Sequence, residues 1–458
     1  MILNCSLPAL LRTPARELSR RVRWLLVGAV CFYSLLGALI MHRWQQRSGQ
    51  SLASLGFGYG ALITAMESTG QYRVLPGVHH PEVSFSAHRL PFIPYFLVGL
   101  KRLLGDNLGR VALAKCLIFG ALLAAAVGLV LLVSPLPLGV LLLLLAPALT
   151  MPRWVLNVFE VSLEEGYNIP ALALLFALLW FSPARRRRGI GWTLGVGFLL
   201  GLLLFLKSSM LYWCLAVPVL VWLQERRLRR AAFLFALVGA ALLLLGSFNA
   251  RHSGRFTVAS SWEGWNLFKG NCEHTAAAYP PYSLDLLDYE GKVVADRPLQ
   301  DEWDHNSYFR AKAVEFIRSH PLRFCDLVLR KTWIFYGEVR ASGLSRRDES
   351  RYGRPVYLLQ IPWMVVFRIL QCTAILLALR TLWQTPWSSD PSVAALSFLA
   401  FLALYSGFHL VGFAYERHIM PVVMPTILYL LHVLAENRIC VSFPAVLPAA
   451  VPAATGIR

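Results

Sequence analysis

Charge is scarce in this chain, and acid is scarcer than base. Only 15% of its 458 residues are charged against 57% hydrophobic, and 25 acidic side chains face 44 lysines and arginines. With a mean hydropathy of +0.54, this balance excludes an ordinary soluble domain of such length. Thiol motifs are missing too. The eight cysteines include no Cys-x-x-Cys pair, so a thiolate metal site or redox centre has no support. No Gly-rich phosphate loop and no internal repeat is visible, nor the matched pair of broken helices that marks many transporters. No Asp precedes Asp106.

What is present is a series of apolar runs, some of them shorter than the roughly 20 residues a spanning helix needs. They lie near residues 24–41, 107–133, 138–150, 169–182, 189–206, 210–223, 231–248, 355–380, 393–413 and 419–435. They predict an all-α multi-spanning membrane protein of about ten transmembrane helices, with interfacial helices and a mostly helical external segment. Basic clusters mark one side: Arg12, Arg16, Arg20, Arg21 and Arg23 before the first run, Arg185 to Arg188 after the fourth, and Arg226, Arg227, Arg229 and Arg230 after the sixth. By the excess of Lys and Arg in cytoplasmic loops, both termini are expected in the cytoplasm of a bacterial cell, with the chain multi-pass in its cytoplasmic (inner) membrane. The first run lacks a small-residue cleavage pattern and reads as an anchor rather than a signal peptide. The net charge of +19 sits in these juxtamembrane clusters, where it sets topology and meets anionic headgroups. No nucleic-acid partner is expected.

Three parts follow: an N-terminal transmembrane module, 1–248, with an external loop at 42–106; an external (periplasmic) segment, 249–354; and a C-terminal transmembrane module, 355–458. The external segment holds 14 of the 25 acids and 16 of the 44 bases, a near balance expected of a solvated surface. Apolar residues at three and four spacing predict helices over 306–319 and 322–336, the second opened by Pro321. Cys272 and Cys325 are the cysteines of this segment; one disulfide and two separate thiols both suit the sequence. Residues 61–68 and 95–104 read as helices in the headgroup layer.

Ionisable residues at a membrane boundary are costly and so are functional suspects. Glu160, Glu164 and Asn168 share one helical face where the fourth run begins, a repulsive arrangement that favours either a cationic partner such as Arg153 or a raised pKa on one carboxyl. Lys207 closes the fifth run. Arg417 and His418 open the tenth within Tyr415-Glu416-Arg417-His418, ahead of Pro421 and Pro425. His88-Arg89-Leu90-Pro91 puts a cation before a stiff turn. Such cations suit a phosphate ester at headgroup depth, Arg as a bidentate fork and Lys as a point charge, although snorkelling to lipid phosphates accounts for the same residues. Glu67 and Glu82 are the acids between the first run and Asp106. Inside the runs, the main polar residues are Lys115, Arg368, Gln371 and His409.

Four stretches together resemble the GT-C type of multi-spanning, polyprenyl-phosphate-dependent glycosyltransferase, similar to protein O-mannosyltransferases and lipid A aminoarabinose transferases. They are Tyr59 to Tyr72 running into Arg89-Leu90-Pro91 and Pro94; Gly201 to Lys207; Phe248-Asn249 with Gly254-Arg255-Phe256, Gly264-Trp265-Asn266-Leu267 and Gly270-Asn271, followed by a helix ending Ser319-His320-Pro321; and Tyr415 to His418 with Pro421 and Pro425. The resemblance implies inverting transfer of a sugar from a polyprenyl-phosphate carrier to an acceptor hydroxyl at the outer face of the membrane, the acceptor being a glycan, a lipid or a protein. It implies cations on the leaving phosphate, assigned here to Arg417, Lys207, Arg89 and His418, and a carboxylate that takes the acceptor's proton. The family Asp that precedes the position of Tyr59 is absent, since Leu55-Gly56-Phe57-Gly58 stands there. The base is therefore expected among Glu82, Glu164 and Glu67, in that order; the alternative is a chain that has lost transferase activity. The lipid-linked sugar is the donor and no nucleotide is needed. External acids leave room for a divalent ion without a committed ligand set, so no metal ligand is assigned. The competing readings are an O-antigen ligase or polymerase, and a lipid or polysaccharide transporter.

Overall fold

A computed structural model describes residues 7–47, 51–77, 82–182, 188–278, 295–339, 354–387, 389–414 and 416–436. Arg185, Arg186, Arg187 and Tyr415 lie outside the described residues. Within them the architecture is helical, without strands, and two isolated bridges join Pro14 to Pro137 and Val74 to Phe85. The first half holds α1 (Leu7–Arg12), α2 (Arg20–Arg47), α3 (Tyr59–Ser68), α4 (Phe92–Leu104), α5 (Leu108–Val133), α6 (Leu138–Thr150), α7 (Pro152–Phe159) and α8 (Glu165–Phe181). Then come α9 (Ile190–Leu206), α10 (Leu211–Glu225), α11 (Leu228–Ser253), α12 (Glu263–Gly270), α13 (Glu273–Ala278), α14 (Glu302–Ser319) and α15 (Pro321–Tyr336). The chain closes with α16 (Arg354–Gln384), α17 (Asp390–Val411) and α18 (Met420–Glu436).

Six segments among the described residues are long and apolar enough to cross a bilayer: Arg20–Ile40, Leu108–Val133, Leu228–Ser253, Gln360–Gln384, Asp390–Val411 and Arg417–Glu436. The apolar helices α8 and α9 are shorter. The runs near 138–150 and 210–223 form α6 and α10, of 13 and 15 residues, below the roughly 20 that a straight crossing needs. Burial orders the bundle. The last segment is 89% buried and forms its centre, whereas the first is 17% buried and flanks it by packing along α5. Start signals are local: Asn107 Oδ1 accepts from the Arg110 amide at 3.0 Å ahead of α5, and Ser389 with Pro391 opens α17.

Where α8 and α10 end and α9 and α11 begin, a buried ion network ties four helix ends together. Arg188 donates to Ser182 Oγ (2.7 Å), Gln224 Oε1 (3.1 Å), Glu225 Oε1 (3.1 Å) and the Leu179 carbonyl (3.0 Å). Arg230 binds the other oxygen of Glu225 and the Arg188 carbonyl. A carboxylate so fully surrounded holds the α8–α9 turn against the α10–α11 turn.

A second hydrophobic core lies beside that of the bundle, and two loops share it. Leu62, Tyr72, Val74, Val83 and Phe85 come from the first loop, and Trp262, Trp265, Leu299 and Phe309 from the segment after α11. Gly264 lets α12 cross α14 closely: its amide donates to Asn306 Oδ1 at 2.6 Å, and a Cβ there would run into the Asn306 carbonyl. Glu302, at the start of α14, joins the loops. Its buried carboxylate accepts from the amides of Ser86 (3.0 Å) and Ala87 (2.9 Å) and from Ser261 Oγ (2.7 Å). Burial raises its pKa, and these hydrogen bonds pull the other way. Cys272, buried, and Cys325, exposed, are free thiols.

Glu302→Ala leaves two amides and a hydroxyl without their acceptor in a closed interior. The expected cost is on the order of 3 kcal/mol, read as a lower thermal midpoint in detergent and faster proteolysis of residues 82–91. An unaltered midpoint and cleavage pattern would show that the loops associate without this carboxylate.

Candidate active site

Helix ends converge where the bundle meets the second core, and they enclose a cavity of about 1080 Å³. Each wall is built by a local break in a helix. α9 stops at Leu206, Lys207 is extended, and a 3₁₀ turn at Ser208–Met210 leads into α10, so the Lys207 side chain enters the cavity. α8 begins at Glu165 with Glu164 just before it, two carboxylates at a helix N-terminus where the dipole favours them. Another 3₁₀ turn, Glu416–Ile419, opens α18 and presents Arg417 and His418. Phe57 and Gly58 are both left-handed, at φ 59° and 79°, a bend that glycine accepts and phenylalanine resists.

The charged groups touch one another. Glu164 Oε1 accepts from Arg89 Nη1 at 3.2 Å and from the Tyr59 hydroxyl at 3.4 Å, and Oε2 stands 3.8 Å from Lys207 Nζ. Lys207 Nζ donates to Glu165 Oε1 at 2.7 Å, with both side chains buried. Arg89 Nε donates to the Phe57 carbonyl at 2.9 Å, and the Arg417 guanidinium lies 4.7 Å over the Phe57 ring. Phe57 thus occupies the middle of the cation cluster, where its unfavourable backbone is held from both sides. The rings of His409 and His418 stack at 4.0 Å on the same wall.

Buried cations also hold the breaks open. Lys115, within α5, donates to the carbonyls of Val158 (2.5 Å) and Glu160 (3.1 Å), fixing the chain between α7 and α8. Lys331 donates to the Gly412 carbonyl (2.7 Å) and Asn271 Oδ1 (3.2 Å), and Asn271 Nδ2 reaches the Val411 carbonyl (2.9 Å). That pair binds the turn before Arg417 to the external part.

Arg89, Glu164, Lys207, Arg417 and His418 all line this cavity. Glu82 and Glu67 do not. Glu82 is exposed, and Glu67 pairs with Lys101 at 2.6 Å between α3 and α4, where Asp106 is the second partner of that lysine at 2.9 Å. Glu160 turns its carboxylate to Ser162 Oγ at 3.0 Å. Sequence reasoning passed over Glu165, although it adjoins Glu164 at the same helix mouth. It also passed over Glu263, which sits within Trp262-Glu263-Gly264-Trp265 and lines the wall opposite the bundle together with Arg310, Asn306 and His88. Burial raises the pKa of Glu263, partly offset by hydrogen bonds from Ser208 and the Ser260 backbone. Among the described residues no group of three or more His, Cys, Asp or Glu converges.

No family model matches the chain, and no curated protein matches it. Among solved structures it is similar to ArnT from Cupriavidus metallidurans in the apo state, at 13% identity over 91% of this chain and 78% of that one, with a TM-score of 0.32. It is likewise similar to ArnT from Cupriavidus metallidurans bound to undecaprenyl phosphate, at 13% identity over 92% of this chain and 79% of that one, with a TM-score of 0.32.

Proposed function

We propose that the chain is a glycosyltransferase that moves a sugar from a polyprenyl-phosphate carrier to an acceptor hydroxyl, with inversion, at the outer face of the bacterial inner membrane. The observation that carries this reading is the meeting of Arg89, Lys207 and Arg417, from three remote parts of the sequence, around one cavity at the ends of membrane helices. An anion within about 4 Å of one such cation gains on the order of 4 kcal/mol at an effective dielectric of 20. A phosphate leaving an anomeric carbon acquires that charge in the transition state, where fixed cations lower the barrier most. The acceptor oxygen forms the new bond to the anomeric carbon, the old carbon–oxygen bond breaks with its electron pair going to the phosphate, and the hydroxyl proton passes to a carboxylate.

Two lining carboxylates are available for that proton. Glu164 is engaged by Arg89, Tyr59 and Lys207, which suits a residue that orders the cations. Glu263 stands on the external wall with a raised pKa, closer to the working pH of a general base. We assign Glu263 as proton acceptor and Glu164 as positioning residue; Glu82 and Glu67 lie off the cavity and take no part. The sidedness is read from charge: Arg188, Arg226, Arg227, Arg229 and Arg230 cluster at the helix ends remote from the cavity, which supports a non-cytoplasmic cavity face and cytoplasmic termini.

Arg417→Ala and Lys207→Ala are each expected to weaken binding of a polyprenyl phosphate by about 10- to 100-fold and to abolish transfer of labelled sugar in proteoliposomes, with insertion unchanged. Full binding and turnover in both variants would remove the phosphate-binding role. For the base, the raised pKa means that the ionised form is lost as pH falls, so the rate drops through an acid limb above the usual carboxylate range. Glu263→Gln is expected to lower the rate about 100-fold or more and to erase that limb. If Glu164→Gln erases it and Glu263→Gln does not, the base is Glu164.

A further inference from the structure

Helix α15 carries apolar side chains on two faces. Leu327, Ile334 and Phe335 face inward and are buried. Leu322, Leu329 and Trp333 are 86%, 69% and 59% exposed. At about 100° per residue these three fall within about 40° of one another, a stripe about 16 Å long. Asp326, Arg330 and Arg323 run beside it, with Asp326 and Arg330 paired at 2.8 Å and Arg323 held by Glu273 at 2.6 Å. A bare apolar stripe with a charged border is the pattern of a helix lying at a lipid boundary.

The depth of the helix comes from its C-terminal end. Arg368, in α16, donates to the carbonyls of Ile334 (3.0 Å), Phe335 and Glu338 (3.0 Å) and to Gln371 Oε1 (2.9 Å). Val356, Tyr357, Leu358 and Leu359 already precede Gln360 in the sequence of α16, so Arg368 lies at least roughly 12 Å inside its apolar run at 1.5 Å per residue. The Tyr336 hydroxyl also bonds Ser406 Oγ on α17 at 2.7 Å, roughly 8 Å in from the Val411 end of that helix. Two spans thus agree that the last turn of α15 sits below the headgroups. A helix ending in hydrocarbon leaves its final carbonyls without partners, and a guanidinium with five donors can serve several of them at once. This accounts for an arginine within a membrane span, a position otherwise costly.

We propose that α15 dips into the leaflet on the cavity's side, with Leu329 and Trp333 against the acyl chains, Leu322 at the headgroups and Arg368 capping the submerged end. The exposed Val365, Val366 and Ile369 of α16 continue the same lipid-facing surface. The partner is therefore bilayer lipid, and the inference is independent of the reaction catalysed.

Nitroxide labels on Leu329→Cys, Leu322→Cys and, as an aqueous reference, the exposed Glu315→Cys test it in the full chain with native cysteines replaced, reconstituted in phosphatidylcholine–phosphatidylglycerol vesicles. Power saturation is expected to show oxygen collisions exceeding those of a nickel chelate several-fold at 329, the reverse at 315, and an intermediate ratio at 322. Nickel-dominated collisions at 329 would overturn the proposal, as would a label there shielded from both reagents, the result a second copy covering the stripe would give. With no cysteine introduced, brominated lipid should quench the wild-type tryptophan emission more than that of Trp333→Phe; equal quenching would count against the dip.

Discussion

The contact on which the site depends is the buried pairing of Lys207 with Glu165 at 2.7 Å. Neither ion could remain charged at that depth alone, because desolvation exceeds anything a single partner in water would return. Joined, they fix the C-terminal end of α9 to the N-terminal end of α8 and bring Glu164 within reach of Arg89. Arg89 grips the Phe57 carbonyl, and the Phe57 ring lies beneath Arg417. Four distant parts of the chain are therefore registered through one chain of polar contacts, and the cavity they enclose keeps an excess of positive charge.

Backbone breaks are the second theme. Every place where a helix stops inside the bundle exposes carbonyls that lipid cannot satisfy. Lys115 serves the carbonyls after α7, Lys331 the turn after α17, and Arg368 the end of α15. A transport pathway would need polar groups in the spans to face a route across the membrane; Lys115 and Arg368 instead bind backbone. They are the means by which a helical membrane protein contains irregular segments, and those segments carry Glu164, Glu165, Arg417 and His418.

Much of this was legible from residue order, and the reason is physical. Apolar runs announce spans, and a charge at the end of a run is rare enough to draw notice, which is why Glu164, Lys207 and Arg417 stood out before their convergence was visible; Arg89 stood out by the stiff Pro-marked turn that follows it. Acids in loops carry no such marker. Glu82 and Glu67 were singled out while Glu263 and Glu302 were passed over, because depth within a loop is decided by tertiary pairing. The three and four spacing of 322–336 identified a helix but not its surroundings, since apolar residues on two faces are consistent with a soluble core or with lipid until the partner of Arg368 is known.

The common core of the two loops bears on how the protein is made. Phe85 emerges early and Trp262 far later, with several membrane helices synthesised between them. Until the second loop is synthesised, the first has an unfilled apolar face and backbone amides awaiting Glu302. Folding thus includes a waiting period in which a half-formed lobe is open to chaperones and proteases, and the cavity closes only after the segment that follows α11 has been made.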